Sequence, residues 1–122
     1  MTLKNDGGSI KNLQSDMDAA SGEDEWLSEV IEYAHNHGWL VAHFRPAQTT
    51  KGWRTAMQGN PGYPDLTLAR DGVVVFAELK ASKKGLLTVG QERWIEALGP
   101  YAYVWTPADR AEMEEVLHEV SF

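Results

Sequence analysis

The stretch that decides the fold runs Pro64-Asp65-Leu66-Thr67-Leu68-Ala69-Arg70-Asp71-Gly72-Val73-Val74-Val75-Phe76-Ala77-Glu78-Leu79-Lys80. Asp-Gly between two apolar runs is the strongest short-range hairpin signal, and it favours a two-residue type I′ turn. Arg70 then pairs with Val73, and counting back sets Asp65 directly opposite Glu78. Opposed residues hold their Cβ atoms roughly 4.5–5.5 Å apart on one face. Two carboxylates at that distance repel, and one protonates unless a cation lies between them. Lys80 falls on the same face as Glu78, because side chains alternate along a strand. Two acids and a lysine at a strand end have the makings of a metal site with a cationic assistant, the chemistry of a phosphodiesterase.

An acid and a lysine at a strand end are commonly a solvated surface pair. The setting of Glu78 argues otherwise, since it interrupts Val73 to Leu79, a run that reads as a strand buried on both faces. A carboxylate there is costly unless it is paired or bound to a metal. The opposed Asp65 removes a simple salt bridge as the explanation, although Lys80 partly neutralises the pair. A three-residue loop would make the Asp65–Glu78 contact diagonal, so the reading depends on the register.

Outward from the hairpin, the 122 residues amount to one domain with a modest core, and an apolar fraction of 43% with five Trp fits a globular protein. No stretch approaches the ~18 apolar residues of a membrane span, and the N-terminus lacks a basic-then-apolar signal. The chain has no Cys, so it has neither a disulfide framework nor a thiolate zinc site, which suits a cytoplasmic protein. The net charge is −7, unusual for a protein that handles nucleic acid. The charge is unevenly spread: residues 1–35 hold eight acids and two bases, and residues 109–119 five acids and one base. Residues 36–108 hold eight bases and five acids, two of them Asp65 and Glu78. The candidate site lies in the basic part of the chain.

Residues 1–20 are polar and without periodicity, and read as a disordered acidic tail, which leaves residues 21–122 as the folded domain. Ser21 is the expected N-cap of a first helix over about 22–37, with Trp26, Leu27, Val30, Ile31 and Ala34 inward and Gly38 closing it. Leu40 to Phe44 is a short strand. A long connection from Arg45 to Tyr63 follows, of a length that is usually functional or disordered. After the hairpin, Thr88 opens a second helix with Trp94, Ile95 and Leu98 on its apolar face, and Gly99-Pro100 ends it. Tyr101 to Trp105 is the last strand, and Thr106-Pro107-Ala108-Asp109 opens a final helix with Met113, Val116, Leu117 and Val120 inward. The order α-β-β-β-α-β-α places a four-stranded mixed sheet between helices. Its third and fourth strands are parallel, joined by a right-handed crossover.

The chain resembles the VRR-NUC (virus-type replication-repair nuclease) family of the PD-(D/E)XK nuclease superfamily. The resemblance covers about residues 21–119. It rests on the Ser21-Gly22-Glu23 start of the first helix, Gly38-Trp39, Gly62-Tyr63-Pro64-Asp65-Leu66, Phe76-Ala77-Glu78-Leu79-Lys80, Gln91-Glu92-Arg93-Trp94 and Val104-Trp105-Thr106-Pro107. The pattern is most like the compact stand-alone versions of bacteriophages and their hosts. It implies a restriction-endonuclease-like fold in which Asp65, Glu78 and the backbone carbonyl of Leu79 hold Mg2+ or Mn2+, a choice that oxygen-only ligands suit. It further implies that Lys80 orients the attacking water or stabilises phosphorane charge, and that Gln91 lies beside the lysine. Glu23, counted back from Gly38-Trp39, corresponds to the acid that in the family approaches the metal from the first helix. It is equally a first-turn acid that complements the helix dipole. Thr88-x-x-Gln91 is also a capping box, which needs Gln91 for local reasons alone. Leu27 stands where the family often carries Gln.

Arg45, Lys51, Arg54, Lys83, Lys84 and Arg93 are candidates for phosphate contacts, and Trp53 for stacking on a base or ribose. His43, like Arg45, lies at the end of the first strand, beside the expected site. His35 and His37 fall on different sides of a helix end and read as capping, and His118 carries no functional signal. By resemblance, the expectation is a homodimeric, metal-dependent deoxyribonuclease acting on branched DNA such as four-way junctions, without a nucleotide cofactor. The alternative is a non-catalytic nuclease-fold module that binds DNA or a protein partner.

Overall fold

The computed structural model describes residues 11–44, 47–49, 52–54, 58–82 and 87–119, with the backbone alone described for residues 11–21, 47–49, 52–54 and 119. The elements in chain order are α1 (Lys11–Asn36), β1 (Leu40–His43), β2 (Ala47–Thr49), β3 (Gly52–Arg54), β4 (Leu66–Arg70), β5 (Val73–Leu79), α2 (Val89–Leu98), β6 (Ala102–Trp105) and α3 (Arg110–Glu119). A 3-10 turn at Gly99–Tyr101 precedes β6, and another at Pro107–Asp109 leads into α3.

The hairpin forms as the sequence requires. Asp71 and Gly72 both adopt positive φ, 52° and 83°, the combination a type I′ turn needs. The antiparallel ladder runs from Arg70↔Val73 to Leu66↔Ala77, and one further step sets Asp65 opposite Glu78. The main sheet has the order β1-β4-β5-β6, with β1 antiparallel to β4 and β6 parallel to β5. It is a four-stranded mixed sheet with three helices, an α/β architecture.

Alternation along the strands sorts the sheet into two faces. Leu66, Leu68, Val75, Ala77, Leu79 and Trp105 join Trp26, Val30 and Ala34 of α1 and Met113 and Leu117 of α3 in the buried core. Two indoles tie this layer together: Trp26 Nε1 donates to the Trp105 carbonyl at 3.0 Å and Trp39 Nε1 to the Leu117 carbonyl at 2.8 Å. Thr67, Val74, Phe76 and Glu78 occupy the opposite face, over which α2 packs. A helix of ten residues is about 15 Å long and cannot cover four strands. None of its residues is fully buried, and Val74, Val104 and Phe44 stay 39%, 36% and 49% exposed.

Three expectations need correction. First, α1 starts at Lys11 and not near residue 22, so Ser21 lies inside the helix and is not its N-cap. The strong helix formers Leu13, Gln14, Met17, Ala19 and Ala20 carry the helix back, and Ser21-Gly22 weakens it by only about 1 kcal/mol without breaking it. Residues 1–10 lie outside the described residues, as does Val120. Second, the connection from Arg45 to Tyr63 contains an antiparallel pair, with Ala47↔Arg54, Gln48↔Trp53 and Thr49↔Gly52 in register. Third, β5 is buried on both faces only at its end, Ala77-Glu78-Leu79, and not along its whole length, because α2 covers only that end.

Candidate active site

Pro64 is fully buried and delivers the chain to Asp65 at the mouth of β4. Asp65 is pinned from two sides: its Oδ2 accepts from the Leu79 amide at 2.8 Å, and its carbonyl accepts from the Phe44 amide at 3.2 Å. A strand residue directs its N–H and C=O to the same neighbour, so the Leu79 carbonyl also faces the Asp65 side of β5. On the other side, the Lys80 amide donates to the Trp105 carbonyl at 3.0 Å, which fixes the strand end against β6.

Glu78 is 2% exposed. Its Oε2 accepts from Gln91 Nε2 at 2.9 Å and lies 3.9 Å from Lys80 Nζ. Its Oε1 is buried and, apart from the neighbouring Asp65 carboxyl, has no hydrogen-bond partner among the described residues. Burial, followed by the charge of Asp65, pushes its pKa from the ordinary 4.5 up to about 8, against the opposing pull of Lys80. One carboxyl of the pair therefore keeps its proton at neutral pH unless a cation arrives. The close approach of the two acids and the lysine follows directly from the hairpin register.

Gln91 serves both readings of its position. Its Oε1 accepts from the Thr88 amide at 2.9 Å, and its own amide donates to Thr88 Oγ1 at 3.1 Å, completing the capping box of α2. The same side chain reaches Glu78 through Nε2 and accepts from Lys80 Nζ at 3.4 Å. The cap orients the amide, and the amide then bridges the acid and the lysine. α2 is held at this height by glycine: a Cβ on Gly62, whose φ is 100°, would lie 2.3 Å from the Gly90 carbonyl carbon. Tyr63 fastens the same loop, meeting Phe44, Phe76 and Trp94 edge-on and bonding Thr67 Oγ1 at 2.8 Å.

Glu23 is half-buried, and its pKa is raised by burial, then by the charge of Asp65, with Lys80 acting against both. It faces the site, but among the described residues no group of three or more His, Cys, Asp or Glu is gathered as metal ligands. The donors that come together are the two carboxylates of Asp65 and Glu78 and a backbone carbonyl. That set, with one buried carboxylate oxygen left without a donor, fits a hard divalent cation completed by water.

The wider nucleic-acid candidates fare unevenly. Arg93 lies exposed on α2. Trp53 and Arg54 fall on β3, where the backbone alone is described, and Arg45, Lys51, Lys83 and Lys84 lie outside the described residues. His37 behaves as a capping residue, its Nδ1 lying 2.9 Å from the Tyr33 carbonyl. Sequence reasoning missed Gly62 and Gly90, whose contact seats α2, and Trp94 as a bridge, its indole donating to the Asn60 carbonyl at 3.1 Å. The only sequence signal for that seat was glycine at both positions. Among the described residues no helix is long and apolar enough to cross a membrane. No protein-family model matches the chain, and no curated protein matches it either.

Proposed function

We propose that the chain is a metal-dependent DNA endonuclease with a restriction-endonuclease-like fold, similar to the VRR-NUC family, that hydrolyses phosphodiester bonds in branched DNA as a homodimer. The observation that carries this reading is Glu78. It is a buried carboxylate with one oxygen that meets no donor among the described residues, set against a second carboxylate and bridged to Lys80 by Gln91. A purely structural strand end gains nothing from such a cluster, since an unpaired buried acid is costly.

In this reading Asp65, Glu78 and the Leu79 carbonyl hold Mg2+ or Mn2+, with Glu23 near enough to influence their charge. The ion supplies Lewis-acid polarisation of the phosphate and a bound water of lowered pKa. Asp65 is kept in one orientation by the Leu79 amide. Gln91 holds Glu78 through Oε2 and leaves Oε1 for the ligand. Lys80, whose side chain is 17% exposed, places a positive charge beside the carboxylates, where it orients water or stabilises charge developing on the phosphorane oxygens. The products are ends bearing 5′-phosphate and 3′-hydroxyl groups.

The test is cleavage of labelled four-way junction, flap, duplex and single-stranded DNA with Mg2+ or Mn2+, alongside Lys80→Ala. Symmetric junction cuts by the parent, lost in the variant, support the whole reading. Cleavage of another substrate keeps the chemistry and changes the substrate. A parent that binds metal and cuts none of the four DNAs overturns the nuclease assignment.

A further inference from the structure

A cleft of about 460 Å3 lies between α2 and the loop that leads to Asp65, lined by Asn60, Pro61, Val89, Gly90, Arg93, Trp94 and Ala97. Its two walls are the segments that build the site: the loop that ends in Asp65 and the helix that carries Gln91. Val89-Gly90, Arg93-Trp94 and Ala97 recur at helical spacing, so one face of α2 forms one wall.

The cleft is held open. Trp94 is fixed by its bond to the Asn60 carbonyl and by the edge-on Tyr63 ring, 4.9 Å away. Loop and helix already touch at its base, where a Cβ on Gly90 would lie 2.7 Å from the Pro61 carbonyl oxygen. Val89 is 73% exposed, so the lining keeps an apolar surface in water. Its chemistry is equally particular. In a chain of net charge −7, the lining among the described residues holds one cation, Arg93, and no carboxylate. Glu92 and Glu96 occupy neighbouring helix positions but do not line it. Apolar walls with an aromatic ring and a guanidinium suit a flat, weakly polar group attached to an anion. The volume also lies in the range of small-ligand pockets, about 300–1,000 Å3.

Resting on the nuclease reading, we propose that this cleft receives one unpaired nucleobase of the DNA strand beside the scissile phosphate, with Arg93 on an adjoining phosphate. A paired base must first be unstacked and flipped out of its duplex, at a cost of a few kcal/mol that an unpaired base largely avoids. Branch points and bulges present unpaired bases, so the cleft favours DNA with an unpaired nucleotide next to the cut. Stacking on aromatic side chains is sequence-tolerant, so the selection is for DNA structure and not for sequence.

The test compares binding of a fluorescein-labelled duplex bearing one bulged thymidine with its fully paired counterpart, in Ca2+ to hold the DNA without cutting. The parent is expected to prefer the bulged DNA about tenfold, a ratio within the range of one base–aromatic stack. Ala97→Leu, which fills the cleft from an exposed helix position, is expected to bring the ratio close to one. A bulge carrying 2-aminopurine is expected to lose fluorescence on binding the parent, which decides the matter should the variant fold poorly. Equal binding of both DNAs, a preference kept by a well-folded Ala97→Leu, or a bound 2-aminopurine that stays bright each overturns the cleft. If the parent still cuts DNA with Mn2+ in those cases, the nuclease reading survives. A parent that neither binds nor cuts DNA removes both.

Discussion

Glu78 sits 2% exposed beside Asp65 with one oxygen that meets no donor among the described residues, and its ionisation opposes folding in the absence of metal. Its pKa rises from 4.5 to about 8 on folding. Between those values the unfolded chain has released a proton that the folded chain retains, so stability falls as pH rises, by up to about 1.4 kcal/mol per pH unit. Below pH 4.5 the group is protonated in both states and contributes no slope. Urea melts in EDTA at intervals from pH 4.5 to 8 are expected to show this decline, and Glu78→Gln is expected to flatten it. A parental profile no steeper than the variant's would contradict the buried pair. The same variant is expected to melt at or above the parental temperature, because a neutral amide removes the cost of protonating a buried acid on folding, and to lose metal-dependent cleavage altogether. Cleavage by Glu78→Gln at the parental rate would show that Glu78 is not a ligand. Lys80 and Asp65 were legible in the sequence for the same reason as Glu78: a period of two fixes the face once the Asp-Gly turn fixes the register.

At the scale of elements, the seat of α2 matters most, because this short helix carries Gln91 to Glu78. Its height is set by the Gly62–Gly90 contact and its rotation by the Thr88 cap and the Trp94–Asn60 bond. Gly62→Ala introduces a Cβ at φ 100° and 2.3 Å from backbone, with no flexible side chain to yield. The expected cost is roughly 1–3 kcal/mol, read as a lower urea midpoint, together with weaker metal binding as Gln91 is drawn off Glu78. An unchanged midpoint would mean that loop and helix do not meet there. The hairpin, the Thr88 cap, the crossover helix and the parallel last strand were all legible, since each has a local signature. The start of α1 was not, because residues 11–20 are mostly polar and Leu13, Met17 and Ala20 are too few to mark a helix face. Strands of three residues, such as β2 and β3, are too short for alternation to show. The cleft beside Arg93 was illegible for a different reason: Asn60 and Trp94, which frame it, are joined by a contact across 34 positions of sequence.

Across the whole molecule, the charge layout and the site bear on one measurable quantity, the response of global stability to metal. The acids of the two ends leave the chain at −7, and the buried Glu78 and half-buried Glu23 add to the crowding of acids at the site. A cation bound only by the folded state stabilises it by RT ln(1 + [L]/Kd), about 2.7 kcal/mol at a hundred times Kd. For a domain of this size that corresponds to a rise in melting temperature of roughly 10 °C or more. Mn2+ is therefore expected to raise the parental melting temperature in a saturable way, and the rise is expected to vanish in Asp65→Asn and in Glu78→Gln. The two variants separate site binding from diffuse attraction to the acidic surface, which each reduces by at most one charge. A parental shift that both variants retain would place the ion on that surface. No shift at millimolar Mn2+ would mean that Asp65, Glu78 and the Leu79 carbonyl do not form a cation site, and the buried Glu78 oxygen would then be simply the site of the shared proton.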